Sequence, residues 1–121
     1  ALLVGGKSMG GRMATHLAAQ GLAPLDGVIA LGYPLHPPGK PDQLRVAHLP
    51  AIAAPVLIVQ GEKDTSGTPG ELQHAIARMN APVTLHVVAG GDHSLAVSRG
   101  RGQSLDTVLD VVANWVTSQL S

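Results

Sequence analysis

The sequence contains no cysteine, few charged residues and no long uninterrupted run of apolar residues. The absence of cysteine excludes disulfide bonds and thiolate metal sites, and it leaves the redox compartment open. The formal net charge is zero, so the chain has no electrostatic footprint for nucleic acid or an anionic membrane. A transmembrane helix needs about 20 consecutive apolar residues, and Gly, Pro or His interrupts the apolar runs here. We therefore expect a small-molecule partner, with neither nucleic acid nor membrane.

What is present indicates a single domain over residues 1–121. Apolar residues make up 45% of the chain and charged residues 13%, which is typical of a globular domain rather than a disordered segment. The chain starts inside a strand-like run, without an initiator Met, and shows no signal peptide. We interpret it as a fragment, a processed product or a truncated chain, and we favour a cytoplasmic location over secretion.

Strand-like runs alternate with helical patterns, which predicts an α/β fold: a parallel sheet of about four strands flanked by helices. The expected strands are 2–5, 27–31, 56–60 and 83–88. The expected helices are 9–20, 69–79 and 105–120, with Gly21 as a C-cap and Ser104 as an N-cap. The Pro-rich connection 32–55 is long enough to be functional or to carry a short helix.

The segment Gly6-Lys7-Ser8-Met9-Gly10 matches the pattern G-x-S-x-G, between an expected strand and an expected helix. The turn must be sharp, and glycine at positions 6 and 10 removes Cβ atoms that would clash. Ser8 would then project from the sheet as a nucleophile, and the backbone N–H of Met9 could donate to an oxyanion. The alternative is a Gly-rich turn in which the serine only caps the helix.

Candidate partners for this serine follow the next strands. Asp64 comes just after the third expected strand and His93 just after the fourth, in the chain order Ser, acid, His that this fold uses. All these positions lie after the carboxyl ends of strands, where a doubly wound sheet binds its ligands. His93 would act as the general base and Asp64 would orient it.

Each partner has alternatives. Asp64 could be an ordinary turn residue, and Glu62 or Asp92 could supply the carboxylate instead, although Asp92 directly precedes His93 and is poorly placed to bond its Nδ1. Most of the six histidines should be structural or solvated. We assign this role to His16 and His74 in expected helices and to His86 in an expected strand. His36 and His48 lie in the long connection, where His36 could line a pocket.

The motifs at 5–13, 31–41 and 59–64 together resemble the small α/β-hydrolases related to dienelactone hydrolase. Within these, the chain resembles the group of predicted hydrolases that includes a testis-expressed protein and a scaffold subunit of a histone-acetyltransferase complex. The resemblance covers nearly the whole chain and implies Ser8 as nucleophile, Asp64 as acid and His93 as base. It makes residues 33–41 a pocket or cap loop and implies no metal or organic cofactor. The expected pocket residues are Lys7, Tyr33, Pro34, Leu35 and His36.

The chain departs from this family by lacking the strands that precede the nucleophile. One loop there normally supplies the second oxyanion N–H. The first strand, with Leu2, Leu3 and Val4, would then be an apolar sheet edge, and such edges recruit other strands, for example in a homodimer. We predict a serine hydrolase that cleaves an ester, thioester or related acyl bond. The alternative is a weak or inactive hydrolase fold that serves as an interaction module.

Overall fold

A computed structural model of the chain describes residues 2–21, 24–40, 42–95 and 105–120. Its elements, in order, are β1 (Leu3–Lys7), α1 (Met9–Gln20), β2 (Gly27–Leu31), a short 3-10 helix (Leu49–Ala51), β3 (Val56–Gly61), α2 (Pro69–Ile76), β4 (Val83–Val88) and α3 (Leu105–Leu120). The N-cap predicted at Ser104 lies outside the described residues. Within the described ranges, no helix is both long enough and apolar enough to span a bilayer.

The four strands form a parallel sheet in the order β1-β2-β3-β4. This confirms the predicted α/β class, in which each connection between neighbouring strands carries a helix or a long loop. β1 is an edge strand that pairs only with β2 among the described strands, and its residues are half-buried or exposed. The carboxyl ends of all four strands therefore open onto one rim of the sheet.

β3 shows why the sheet has a core on both faces. All six of its residues are buried, as expected for a strand covered on both sides. Successive side chains point to opposite faces, so Val56 and Ile58 join the cluster beneath α1 and α2, while Leu57 and Val59 join the cluster beneath α3. Two helices thus cover one face and α3 covers the other, where the indole of Trp115 packs in the second cluster.

α1 packs against the sheet through its small residues. Gly11, Ala14, Thr15 and Ala18 are buried, and a Cβ on Gly11 would lie 3.1 Å from the Cα of Ala30. The larger apolar residues of α1 face away, and Met9, Met13 and Leu17 are about half exposed. Helical periodicity therefore predicts where the helix lies, and the side with the small residues is the one that packs against the sheet.

α2 ends earlier than its sequence pattern predicts. Its start is fixed by a capping box, in which the Thr68 side chain accepts from the backbone N–H of Glu71 and the Glu71 side chain accepts from the N–H of Thr68. After Ile76 the chain tightens, because the N–H groups of Arg78 and Met79 each donate three residues back. The last turn of the predicted helix is thus 3-10-like, a common way to satisfy terminal carbonyls.

Candidate active site

Ser8 occupies the sharp turn that joins β1 to α1. Its backbone has φ 53° and ψ −119°, in the positive-φ region that non-glycine residues rarely enter. The Ser8 N–H donates to the carbonyl of Leu31 at 2.7 Å, and the N–H of Arg12 donates to the Ser8 carbonyl at 3.0 Å. The end of the strand ladder and the start of the helix hold this strained residue from both sides.

Close packing of glycines makes the turn possible, but not entirely at the expected positions. A Cβ on Gly6 would lie 2.6 Å from the carbonyl carbon of Gly10, which agrees with the prediction for Gly6. The prediction for Gly10 is wrong, because a Cβ there would have nothing within 4 Å. Gly11 makes the second close approach, since its Cβ would lie 2.7 Å from the carbonyl oxygen of Gly6. The steric requirement therefore falls one residue later in α1.

The Ser8 hydroxyl contacts an imidazole rather than capping the helix. Ser8 makes no side-chain cap hydrogen bond, and its Oγ lies 2.7 Å from Nε2 of His93. Nδ1 of His93 lies 2.8 Å from Oδ2 of Asp64. An ionised carboxylate can only accept, so Nδ1 carries the proton and Nε2 is free to accept the serine hydrogen. This tautomer is the one that a general base needs.

Burial differs along this hydroxyl–imidazole–carboxylate chain. The Asp64 side chain is fully buried, whereas that of His93 is 31% exposed, and Ser8 is half-buried. A buried carboxylate needs hydrogen bonds in place of water, and Oδ1 of Asp64 accepts from the backbone N–H of Ser66 at 2.8 Å. The carboxylate is thus fixed and dry, while the imidazole and hydroxyl remain within reach of a ligand.

The alternative carboxylates have other hydrogen-bond partners. Glu62 accepts from the backbone N–H of Gly90 at 2.9 Å, and Oδ1 of Asp92 accepts from the N–H of Ser94 at 2.9 Å. Both side chains are exposed. Asp64 is therefore the acid whose oxygen meets the ring of His93.

Gln60 is a site residue that sequence reasoning missed. Nε2 of this fully buried side chain lies 3.1 Å from Oδ2 of Asp64, 2.8 Å from the carbonyl oxygen of Gly67 and 3.0 Å from that of Tyr33, so its two N–H bonds are shared among three acceptors. Its Oε1 accepts from the N–H of Tyr33 at 2.8 Å. The signal in the sequence was a polar residue at the end of an otherwise apolar strand, which requires buried partners.

Two glycines allow the loop of His93 to approach the neighbouring loops. A Cβ on Gly32, which has φ 69°, would collide with the carbonyl oxygen of His93. A Cβ on Gly61 would collide with the carbonyl oxygens of Gly91 and Asp92. The backbone that carries His93 therefore lies directly on the ends of β2 and β3, which fixes the distance between the imidazole and the rim.

The backbone N–H of Met9, the sequence-predicted oxyanion donor, stands at the start of α1. Met9 is the first residue of α1, so no helical carbonyl lies four residues before it, and no described residue accepts from it. It directly follows Ser8, at the positive end of the helix dipole. An oxygen that gains negative charge beside the Ser8 hydroxyl could accept from this N–H.

The five expected pocket residues occupy different surroundings. Lys7 is exposed at the end of β1, and Pro34 is buried. Tyr33 is fully buried, with its hydroxyl donating to the carbonyl of Arg45 at 2.8 Å. Leu35 belongs to the core and borders a cavity of about 260 Å³ near α2. His36 is buried, with one ring nitrogen 2.8 Å from Oε2 of Glu71. That they line a substrate pocket stays a prediction.

The remaining histidines lie elsewhere. His16 stacks on His48 with ring centroids 3.5 Å apart, His74 is exposed on α2, and His86 is half-buried in β4. No group of three or more His, Cys, Asp or Glu side chains that could hold a metal occurs in the part of the chain that the structure describes.

The parallel sheet, the strained turn at Ser8 and the side chains after β3 and β4 define an α/β fold of the hydrolase type. The chain belongs to the alpha/beta hydrolase domain family, whose sequence profile matches residues 1–120. The motif-based expectation of α/β-hydrolase membership is thereby confirmed.

Solved structures of hydrolases share this fold at low identity. Dienelactone hydrolase from Anabaena variabilis aligns with a TM-score of 0.72 and 22% identity over 96% of this chain and 48% of its own. An esterase domain from Rhodothermus marinus aligns with a TM-score of 0.68 and 15% identity, over 93% of this chain and 59% of its own. A serine hydrolase homologue from Coxiella burnetii aligns with a TM-score of 0.59 and 22% identity, over 75% of this chain and 40% of its own. The chain thus spans about half the length of these structures.

Proposed function

We propose that this chain carries the catalytic residues of a serine hydrolase that cleaves an ester, thioester or related acyl bond. The observation that carries the proposal is the position of the His93 ring, 2.7 Å from the Ser8 hydroxyl and 2.8 Å from the Asp64 carboxylate. These distances are within the range expected for a nucleophile, its base and the group that orients the base. Membership of the hydrolase family and the strained turn at Ser8 support the same conclusion.

The proposed reaction has two stages. Nε2 of His93 takes the hydroxyl proton as Oγ of Ser8 attacks the acyl carbon, and the imidazolium then protonates the leaving group as its bond to that carbon breaks. Water next attacks the acyl-enzyme, with His93 again acting as base, and Ser8 is released with the carboxylic acid product. Asp64 holds the ring in the required tautomer and stabilises the imidazolium.

Met9 is the proposed donor to the oxyanion of each tetrahedral intermediate. Removing one such donor typically slows catalysis about 100- to 1,000-fold, so a hydrolase with only this N–H would be slow. In the family pattern the second donor comes from a loop that precedes the nucleophile strand. We propose that full activity requires that loop in addition to the residues described here.

The proposed substrate class rests on the residue types expected near Ser8. The proposed pocket wall consists of small glycines near the turn and the Pro-rich segment 33–41, which suits a small to medium acyl group. We also propose that the chain is related to the dienelactone-hydrolase-like group that includes the testis-expressed protein and the acetyltransferase-complex subunit named above. No metal or organic cofactor is part of this proposal.

A fluorophosphonate probe tests the proposal on the intact protein, because it labels serines that a base has activated. We expect labelling of the wild type, none of Ser8→Ala and strongly reduced labelling of His93→Ala. Ser94→Ala is the matched control, since Ser94 is an exposed serine next to His93, and it should label like the wild type. Equal labelling of wild type and Ser8→Ala, or labelling of neither, would reject the proposal and leave the interaction module as the better account.

A further inference from the structure

A basic hollow lies between α1 and the segment 44–48 of the long connection. It has a volume of about 240 Å³. Its basic side chains are Arg12, His16, Arg45 and His48, all half-buried. Apolar or small side chains complete the lining: Leu44, Val46 and Ala47.

Arg12 is incompletely satisfied in this hollow. Its Nε is the one buried side-chain nitrogen or oxygen in the described ranges that has no hydrogen-bond partner. Its Nη1 reaches only the sulfur of Met9, at 3.7 Å, and a thioether is a weak acceptor. A buried, unpartnered donor is rare in native proteins and points to a group that binds there.

The hollow also lacks a negative charge to balance its arginines. Neither Arg12 nor Arg45 forms an ion pair with a carboxylate in the part of the chain that is described. Burial raises the pKa of the Tyr33 phenol, and the Thr15 hydroxyl, Arg12 and Arg45 oppose that rise. Both arginines line the hollow, which therefore holds two guanidinium charges without a carboxylate partner among the described residues.

His48 lies beside these basic groups. Burial, together with the nearby His16 and Arg12, lowers the pKa of His48 to about 4. The Thr15 hydroxyl donates to the Arg12 carbonyl at 2.6 Å, so Nε2–H of His48 donates to that hydroxyl at 2.8 Å. His48 is thus neutral at physiological pH, with its ring stacked on His16.

We propose that the basic hollow binds a small oxyanion, a phosphate or carboxylate group, through forked hydrogen bonds from Arg12 and Arg45. A guanidinium presents paired N–H donors whose spacing matches two oxygens of such a group. Water could satisfy the donors but could not neutralise the charge. The hollow is smaller than the roughly 300–1,000 Å³ of sites for drug-sized ligands, so only a compact anion or the end of a short apolar molecule fits.

This site is separate from the chemistry proposed at Ser8. Arg12 lies one helical turn after Ser8, and only its backbone N–H bonds to that residue. Anion binding in the hollow can therefore be tested whether or not Ser8 reacts. It predicts a linkage with His48, because a bound anion favours the imidazolium and raises the pKa of that histidine. Binding of an anion that stays ionised, such as dihydrogen phosphate, should accordingly tighten as the pH falls toward the pKa of His48.

The test titrates the intact protein with inorganic phosphate, with acetate and with chloride at equal ionic strength, while NMR follows the ring protons of His48 and His16. We expect a saturable shift with phosphate or acetate but not with chloride, and an upward shift in the pKa of His48. Tighter binding of phosphate would assign the natural ligand to the phosphate class, and tighter binding of acetate to the carboxylate class.

Variants locate the binding. Arg12→Gln and Arg45→Gln should each weaken it at least tenfold, while Arg78→Gln, an exposed arginine on the last turn after α2, should leave it unchanged. If Arg12→Gln does not fold, Arg45→Gln alone decides. Equal shifts with all three salts, no saturation, or unchanged affinity in the folded arginine variants would overturn the proposal.

Discussion

The side-chain amide of Gln60 donates at 3.1 Å to Oδ2 of Asp64. The same oxygen accepts from the ring of His93, so one carboxylate oxygen is held by an amide behind it and an imidazole in front. Because Oε1 of Gln60 accepts from the Tyr33 N–H, the amide cannot turn round without losing that bond. Gln60 thus positions the acid and connects it to the loop after β2.

Replacing Gln60 by leucine should weaken both stability and the proposed hydrolysis. The change leaves the Tyr33 N–H without its acceptor and Asp64 with one donor fewer, which should lower the free energy of unfolding by about 1–3 kcal/mol. A misplaced acid should also reduce kcat about tenfold, with little change in KM. Urea unfolding and steady-state ester hydrolysis measure the two effects.

A double-mutant cycle separates positioning from general loss of structure. If Gln60 acts through Asp64, then Gln60→Leu should cost much less activity in an Asp64→Asn background than in the wild type. Additive losses would instead assign Gln60 a purely structural role. Gln73→Leu, at an exposed glutamine of α2, is the control and should leave kcat unchanged.

Neighbouring glycines in α1 should respond oppositely to alanine. A Cβ on Gly11 would meet backbone atoms of Gly6 and Ala30 that cannot move aside, so Gly11→Ala should destabilise the protein by about 1–3 kcal/mol. Gly10→Ala meets nothing within 4 Å and should be neutral or stabilising by about 0.4–1 kcal/mol, since it reduces the entropy of the unfolded chain. Thermal unfolding compares them, and a destabilised Gly10→Ala would contradict this account.

The His36–Glu71 pair should make stability depend on pH. The Pro37 carbonyl and the Glu71 carboxylate lie on opposite ring nitrogens of His36, each at 2.8 Å, so only the protonated ring donates to both. The Pro37 carbonyl, followed by Glu71, raises the pKa of His36 above 6.5 despite burial. The Thr68 N–H, with His36, lowers the pKa of Glu71 below 4.5.

The directions of these two pKa shifts define the pH range in which the pair stabilises the fold. The contribution of His36 is complete below its unfolded pKa of 6.5 and is lost as the pH rises through its raised folded value. The contribution of Glu71 is complete above 4.5 and is lost as the pH falls through its lowered value. The bridge should therefore stabilise the fold most between these limits, by less than about 1 kcal/mol because Glu71 is partly exposed.

Glu71→Gln tests this window, because glutamine can keep the capping box but removes the charge. The difference in unfolding free energy between wild type and Glu71→Gln should be larger near pH 6 than near pH 9. A difference that stays constant over this range would show that the ion pair adds nothing beyond the cap.

The free edge of the sheet should make the isolated 121-residue chain self-associate. We propose that copies pair through the edge strand at Leu2–Val4, where Leu2 is 48% exposed. Sedimentation velocity should then show a concentration-dependent dimer that Leu2→Lys weakens. Met13→Lys, which changes a similarly exposed residue on α1, should leave the dimer intact. A monomer at every concentration would exclude edge pairing.

Much of the fold could be predicted because its signals are local. Apolar runs predicted β2 and β4 at their observed bounds, and helical spacing predicted the bounds of α1. The end of α1 was predictable from Gly21, which adopts the left-handed C-cap conformation at φ 66°. The residues that meet at the rim, Ser8, Asp64 and His93, could be selected because parallel strands place their carboxyl ends together.

What the sequence could not provide were facts that depend on packing between distant segments. The role of Gly11 rather than Gly10 depends on where α1 crosses Ala30. The partners of Gln60 come from separate loops, and nothing in the local pattern pairs His36 with Glu71 or stacks His16 on His48. The end of α2 depended on carbonyl satisfaction in its last turn, which propensity alone does not determine.

At Ser8, the positive φ lowers the stability of the fold, while the side chain at the same position provides the reactive hydroxyl. Glycine would accept this backbone geometry without the cost of roughly 1–3 kcal/mol that a side chain incurs there. Ser8→Gly should therefore remove the hydroxyl and raise the free energy of unfolding. Ser8→Ala should also remove the hydroxyl but keep the backbone strain. A lineage freed from any need for that oxygen would be expected to drift toward glycine at this turn.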